Sequence, residues 1–288
     1  MKKLTLLFLL SSLFYTAQNQ RFIYDYHFVR DTLNKSEVNK ELMYLDITKE
    51  GSKFYSRDVF VKDSLLVAKY EKEIAATGSM NVTGVVTPRN NALVTYKVFK
   101  TYPAFKTSLE TRIGADSYKV LEERKIEWKI LPEKETIGEF TAQKAIATFG
   151  GRNWTAWFST ELPFQDGPYK FHGLPGLIIK MEDESKTHKY ELKGVTKFEV
   201  VETKTSKFNE EAIPMSISQE KYKKMFWELR DDPAKDFKQM MAKSNISNMR
   251  DGNGNAISSA EFIKRRENTE KEKQAKNNNL IEIDLLKR

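Results

Sequence analysis

"RNWTAWFSTELPFQDGPYKFHGLPGLIIKMED", residues 152–183, decides how the chain is read. Its ends are rich in aromatic and β-branched side chains and its middle in glycine and proline. It therefore reads as two strands, "RNWTAWFS" (152–159) and "GLIIKMED" (176–183), joined by a corner. The strand period of two places Trp154, Ala156 and Phe158 on one face and Thr155 and Trp157 on the other. Both faces carry large apolar groups, so the core covers one and something else covers the other. Within the corner, Leu174-Pro175-Gly176-Leu177 suits a type II turn, Pro175 fixing φ and Gly176 supplying a positive φ after it. A phosphate cradle would need successive free N–H groups or a following helix; here a proline removes one N–H and a strand follows. The corner residues Gly173, Leu174, Pro175 and Gly176 are thus assigned to structure. Arg152, Lys170 and Asp166 are expected to cross-pair over the turn at the surface, adding little stability.

Working outward, residues 21 to about 205 read as strands. "RFIYDYHFV" (21–29) alternates, with Phe22, Tyr24, Tyr26 and Phe28 on one face. Further strands are expected over 41–48, 52–61, 92–100, 117–131, 140–149, 188–195 and 197–204, with a helix over 63–77 closed by Gly78. The short, even spacing is that of an antiparallel meander and lacks the strand–helix alternation of a parallel sheet. From about residue 214 the pattern becomes helical. Tyr222, Met225, Phe226 and Leu229 recur at helical spacing after Ser218, Asp232-Pro233 opens a second helix, and Ser258 with Glu261 forms a capping box for a third. That last helix is almost wholly charged and is expected to be exposed. The tail "NNNLIEIDLLKR" (277–288) regains apolar residues and is expected to pack back as a final strand. The expected fold is mainly β: a strongly curved antiparallel sheet or half-open barrel with helices on its concave side. It divides into a leader (1–17), a β domain (18–213) and a helical, basic C-terminal region (214–288).

The leader is read from "MKK", the apolar "LTLLFLLSSLFY" and the small-residue exit "TAQNQ", with cleavage after Ala17. No later run reaches the length of a membrane span, so the expectation is an exported, soluble protein. Cysteine is absent, which excludes disulfides, thiolate nucleophiles and zinc–thiolate sites. The net charge of +8 falls to +6 without Lys2 and Lys3 and is spread among 40 acidic residues. It reads as a solvated surface, and no nucleic-acid partner is expected.

The sequence holds three histidines, His27, His172 and His188, and none is paired at metal-ligand spacing. No motif presents a serine to His172. Asp251, Asn253 and Asn255 imitate a calcium loop, but Ala256 stands where glycine belongs, and Glu261 arrives one residue before the twelfth position, held by Phe262. A turn before a capped helix explains them more simply. Sequons at Asn81, Asn153 and Asn245 matter only in a host that glycosylates them. No cofactor or metal is expected. The remaining signal is the aromatic cluster Trp154, Trp157, Phe158, Phe164, Tyr169 and Phe171. It reads either as core covered by Phe226 and Trp227 of the C-terminal helices, or as the lining of a groove for an apolar ligand.

The stretch from about Trp128 to Asp183 resembles the signature of the GLPGLI family of exported proteins from Gram-negative Bacteroidota. The resemblance rests on "GLPGLI" (173–178) with Lys144-Ala145, Gly151-Arg152, Trp154, Ala156-Trp157, Pro163, Gly167-Pro168 and Lys170-Phe171. The chain departs from the pattern at Ala142, where many members carry a cysteine, so no thiol role carries over. The resemblance implies compartment and lineage; the family's members are of uncharacterised function. The resulting expectation is a non-enzymatic envelope protein binding an apolar or lipidic ligand. The alternative is an interaction module docking on an envelope protein through its basic helices and an open sheet edge.

Overall fold

The structure, a computed structural model, describes residues 19–77, 92–199, 214–243, 249–250 and 254–288. The expected leader, Gly78, the sequons at Asn81 and Asn245, and Asp251 and Asn253 lie outside the described residues. Alternation in β1 (Gln20–Val29) buries Phe22, Tyr24, Tyr26 and Phe28 on one face, called the inner face here. β2 (Val38–Ile47) and β3 (Gly51–Ser56) continue that face as a meander, setting Met43 opposite Tyr24 and Leu45 between Phe22 and Phe54. After α1 (Arg57–Thr77) come β4 (Lys97–Thr101), β5 (Lys106–Ile113), β6 (Asp116–Glu122) and β7 (Lys129–Ile137). β8 (Phe140–Phe149), β9 (Arg152–Ser159), β10 (Leu177–Asp183) and β11 (His188–Lys197) follow. The C-terminal region contains β12 (Met215–Ile217), α2 (Gln219–Asp231), α3 (Lys235–Lys243), the short pair β13 (Met249–Arg250) and β14 (Ala256–Ile257), α4 (Ser259–Ala275) and a 3₁₀ turn (Ile283–Leu286). No helix among the described residues is long and apolar enough to cross a membrane.

The main sheet runs β12-β6-β5-β4-β3-β2-β1-β11-β10-β9-β8-β7, antiparallel throughout except where β12 pairs parallel with β6, and it does not close. Its curvature follows from contacts across it. Phe171 accepts a hydrogen bond from Lys100 of β4 (3.1 Å) and packs on Trp154 of β9 (ring centroids 4.9 Å). Those strands are six positions apart, about 29 Å on a flat sheet. One residue touches both because the sheet bends around it into a trough, in keeping with the curved, mainly β expectation.

Several expectations need correction. α1 begins at Arg57, so "RDVFV" is helical and not the end of a strand. Ser56 Oγ accepts from the N–H groups of Asp58 (3.1 Å) and Val59 (3.4 Å), and this cap overrides the β preference of the valines and phenylalanine. Phe60 of α1 packs on Tyr44 and Tyr55, which alternate outward, so this helix lies on the outer face while α2 lies over β5 and β6. The single strand expected over 117–131 breaks after Glu122, and 92–96 precede β4 without strand structure. The tail packs back, but as extended chain and a 3₁₀ turn.

The corner is not a type II turn either. Leu177 N–H donates to Leu162 O (3.0 Å), and the positive φ belongs to Gly173 (+96°) and not to Gly176. Gly176 is required for a different reason: a Cβ there would stand 2.2 Å from Ser159 O. The glycine permits the chain to leave the corner against the backbone of β9.

Candidate functional site

One end of the trough is filled. Residues 166–171, expected on a surface corner, are all buried. Phe164 packs edge-on against Phe22 (5.3 Å), and Tyr24 Oη donates to Ile178 O (2.7 Å). Phe171 sits among Trp128, Phe149 and Trp154. Asp166 is the polar centre of this plug. It accepts from Lys100 Nζ (2.5 Å), from Ser52 Oγ (2.6 Å) and from Tyr102 Oη. Burial lowers the pKa of Lys100 against the pull of Asp166. His172 stacks on Phe105 (4.8 Å), and burial together with the Lys100 charge holds its pKa down to about 4.

The other end is bridged by the tail, which the residues expected to pair over the corner hold in place. The surface cross-pairing of Arg152, Lys170 and Asp166 is therefore corrected: all three are buried and each has a partner elsewhere. Arg152 donates to Asn279 Oδ1 (2.6 Å), Leu280 O (2.6 Å) and Ile281 O (3.1 Å), and pairs with Asp183 (2.9 Å). Lys170 Nζ lies between Glu122 (2.7 Å) and Glu282 (2.5 Å). Glu282 also accepts from Arg124 and from Tyr169 Oη. Burial alone would raise both carboxyls, but the flanking cations outweigh it; Glu122 is held down to about 2, and Glu282 is lowered too. A Cβ on Gly151 (φ +78°) would stand 3.0 Å from Asp284 N, so the tail passes close over a bare backbone. Asn279 Nδ2 donates to Val29 O (2.8 Å), and its N–H donates to Arg30 O (3.0 Å). His188 is fixed by the same segment. Its Nε2–H donates to Asn279 O (3.1 Å) and its Nδ1 accepts from Tyr26 Oη (2.7 Å), while burial and Arg152 hold its pKa down to about 4.

Between the tail, α2 and the inner face lies a cleft of about 370 Å³. Tyr26 and Phe28 of β1, Leu109 and Thr111 of β5, and Tyr222 and Phe226 of α2 form much of its wall. Tyr169, in contact with Tyr96 (5.4 Å), also lines it, as do Asn277 and Arg30, whose Nη2 donates to Leu93 O. The volume lies within the range of small-molecule sites, about 300–1,000 Å³.

Of the six aromatic residues singled out in the sequence, Tyr169 lines this cleft. Trp154, Phe158 and Phe171 are buried in the core around the plug, and Phe164 is partly buried beside Phe22. Trp157 faces outward beneath Lys144, whose Nζ is 5.9 Å from the ring centroid. Phe226 reaches the cleft and not Trp154; Trp227 is covered by Arg230 and Arg288. Sequence reasoning missed Arg30, Leu109, Thr111 and the tail. The alternation of β1 already marked Tyr26 and Phe28 as inward, which was the available signal.

Residues 151–182 match a Bacteroidota-associated family described as "Protein of unknown function (Porph_ging)". That segment contains Arg152, Asp166, Tyr169 and Lys170, the residues that close the trough. No curated protein matches the sequence. Among solved structures, PNGF-II in its C2 and P21 space groups has a similar fold, with a TM-score of 0.50 and 15% identity over 74% of this chain. The match covers 34% of each PNGF-II chain, so this protein spans about a third of their length.

Proposed function

We propose that this is an exported, GLPGLI-like protein of the cell envelope that binds an apolar ligand without transforming it. The observation that carries the reading is the cleft, where aromatic and aliphatic side chains from strands, α2 and tail surround about 370 Å³. A non-enzymatic role is supported by the state of His188, whose ring nitrogens both already have hydrogen-bond partners. Export is supported by the charged-then-apolar leader over 1–17. Docking through a sheet edge is the weaker alternative. The edge strand β7 carries Pro132, a register shift between Ile130 and Lys134 and several charges, which are features that discourage strand addition.

The test is native mass spectrometry of the protein isolated from its own envelope. A bound mass of lipid size is expected, and it should be missing from Thr111→Trp, which fills the cleft from its partly buried wall. A ligand-free mass in the parent protein counts against the reading, and a stoichiometric protein partner would favour the docking alternative.

A further inference from the structure

We infer that the ligand of this cleft is a single-chain amphiphile with an anionic oxygen head, and that Arg30 binds that head. The inference rests on the apolar-ligand reading and assigns its polar end.

Three side chains of the lining carry or can carry charge: Arg30, His188 and Glu282. Two are already committed. Glu282 is neutralised by Lys170 and Arg124, and His188 is held neutral between Tyr26 and Asn279. Arg30 differs. Its Nη2 donates to Leu93 O (3.1 Å), and its guanidinium lies 5.6 Å from the Phe28 ring centroid, but among the described residues no carboxylate pairs with it. The backbone at Arg30 is also fixed, because its carbonyl accepts from the N–H groups of Asn278 (3.1 Å) and Asn279 (3.0 Å). The adjacent Asp31 accepts at Oδ1 from Asn278 Nδ2 and from Leu33 N–H and forms no ion pair with Arg30.

Among the described residues, the cleft therefore has one cation without a carboxylate partner, beside Leu93, and a wall that is otherwise mainly aromatic and aliphatic. A guanidinium with spare N–H donors recognises carboxylate or phosphate oxygens by charge-assisted hydrogen bonds. A volume near the lower end of the usual range suits one acyl chain rather than two. A neutral oil would leave the cation unused, and a cationic amphiphile would be repelled by it.

The experiment titrates the full mature chain, stripped of lipid, with the fluorescent cis-parinaric acid and with its methyl ester, which keeps the chain and removes the charge. The acid should bind about tenfold tighter than the ester, the size of one charge-assisted hydrogen bond. Arg30→Gln should bring the acid down to the ester's affinity, while Arg30→Lys should restore much of the difference. Displacement of the probe by a monoacyl phosphate or by a free fatty acid then tells which anionic head is preferred. Equal affinity for acid and ester in the parent protein, or a preference that survives Arg30→Gln, overturns the assignment of Arg30 and leaves the apolar cleft standing. If neither probe binds the parent protein, the apolar-ligand reading itself falls.

Discussion

The two ends of the trough are closed by different physics. At one end the plug drives Phe164, Phe171 and Ile178 into the space, and Asp166 and Lys100 are sealed among them. At the other, the tail is held through Asn279 and Glu282 by Arg152, Lys170 and Arg124, and the space beneath it is left open. A cover that fills with side chains gives a core. One that is anchored by buried ionic contacts at intervals can span a volume without occupying it.

Substitutions can test this contrast, the largest effects first. Phe171→Ala should cost about 3–5 kcal/mol, since it empties the centre of the plug. Chemical denaturation measures it, and a cost under about 1 kcal/mol would mean that the plug collapses freely. Lys170→Ala should cost a similar ~3–5 kcal/mol by leaving the buried pair Glu122 and Glu282 with Arg124 as their remaining shared cation. Lys170→Ala paired with Glu282→Gln should recover part of that loss if the ionic anchor is its cause. Gly151→Ala should cost about 1–3 kcal/mol from its left-handed φ and the contact with the tail. Faster amide exchange confined at first to residues 278–284 would locate the effect there.

Both ends also share a pH dependence. The folded pKa of His188 is about 4 against an ordinary 6.5, so the folded state favours its neutral form. Its contribution is complete above pH 6.5 and is lost as pH falls toward 4, because the unfolded chain takes up the proton first. His172 acts in the same direction and in the same window. The denaturation midpoint should therefore drop through this range, and His188→Gln should flatten part of the drop. An unchanged slope in that variant would show that His188 is not buried neutral. The smallest effect is expected at Trp157→Ala, about 1 kcal/mol, because that ring is only partly buried on the outer face. Trp154→Ala, three residues away on the inner face, should match the plug variants at about 3–5 kcal/mol.

What was legible in the sequence is what depends on near neighbours. The period of two in "RFIYDYHFV" identified the inner face of β1, and Ser218 and Ser258 cap α2 and α4 as their spacing suggests. What was not legible depends on distant ones. Lys170 meets Glu122 and Glu282 across 48 and 112 residues, and a charged side chain beside a glycine-rich turn reads as surface until those partners are known. Gly176 was assigned a dihedral need when its real constraint is the nearby backbone of Ser159. Tyr169 was singled out for its company among aromatics, whereas its contacts with Glu282 and Tyr96 are what bring it to the cleft.

The grip of Arg152 and Lys170 on residues 279–282 also orders events in time. During synthesis these cations emerge more than 100 residues before their acceptors in the tail. A chain arrested before Asn279 would leave Arg152 with Asp183 and Lys170 with Glu122 but neither with its tail acceptors, and the trough would stay unsealed. Folding is thus completed late, and a truncated product would be distinguishable from a finished one by its susceptibility to proteolysis.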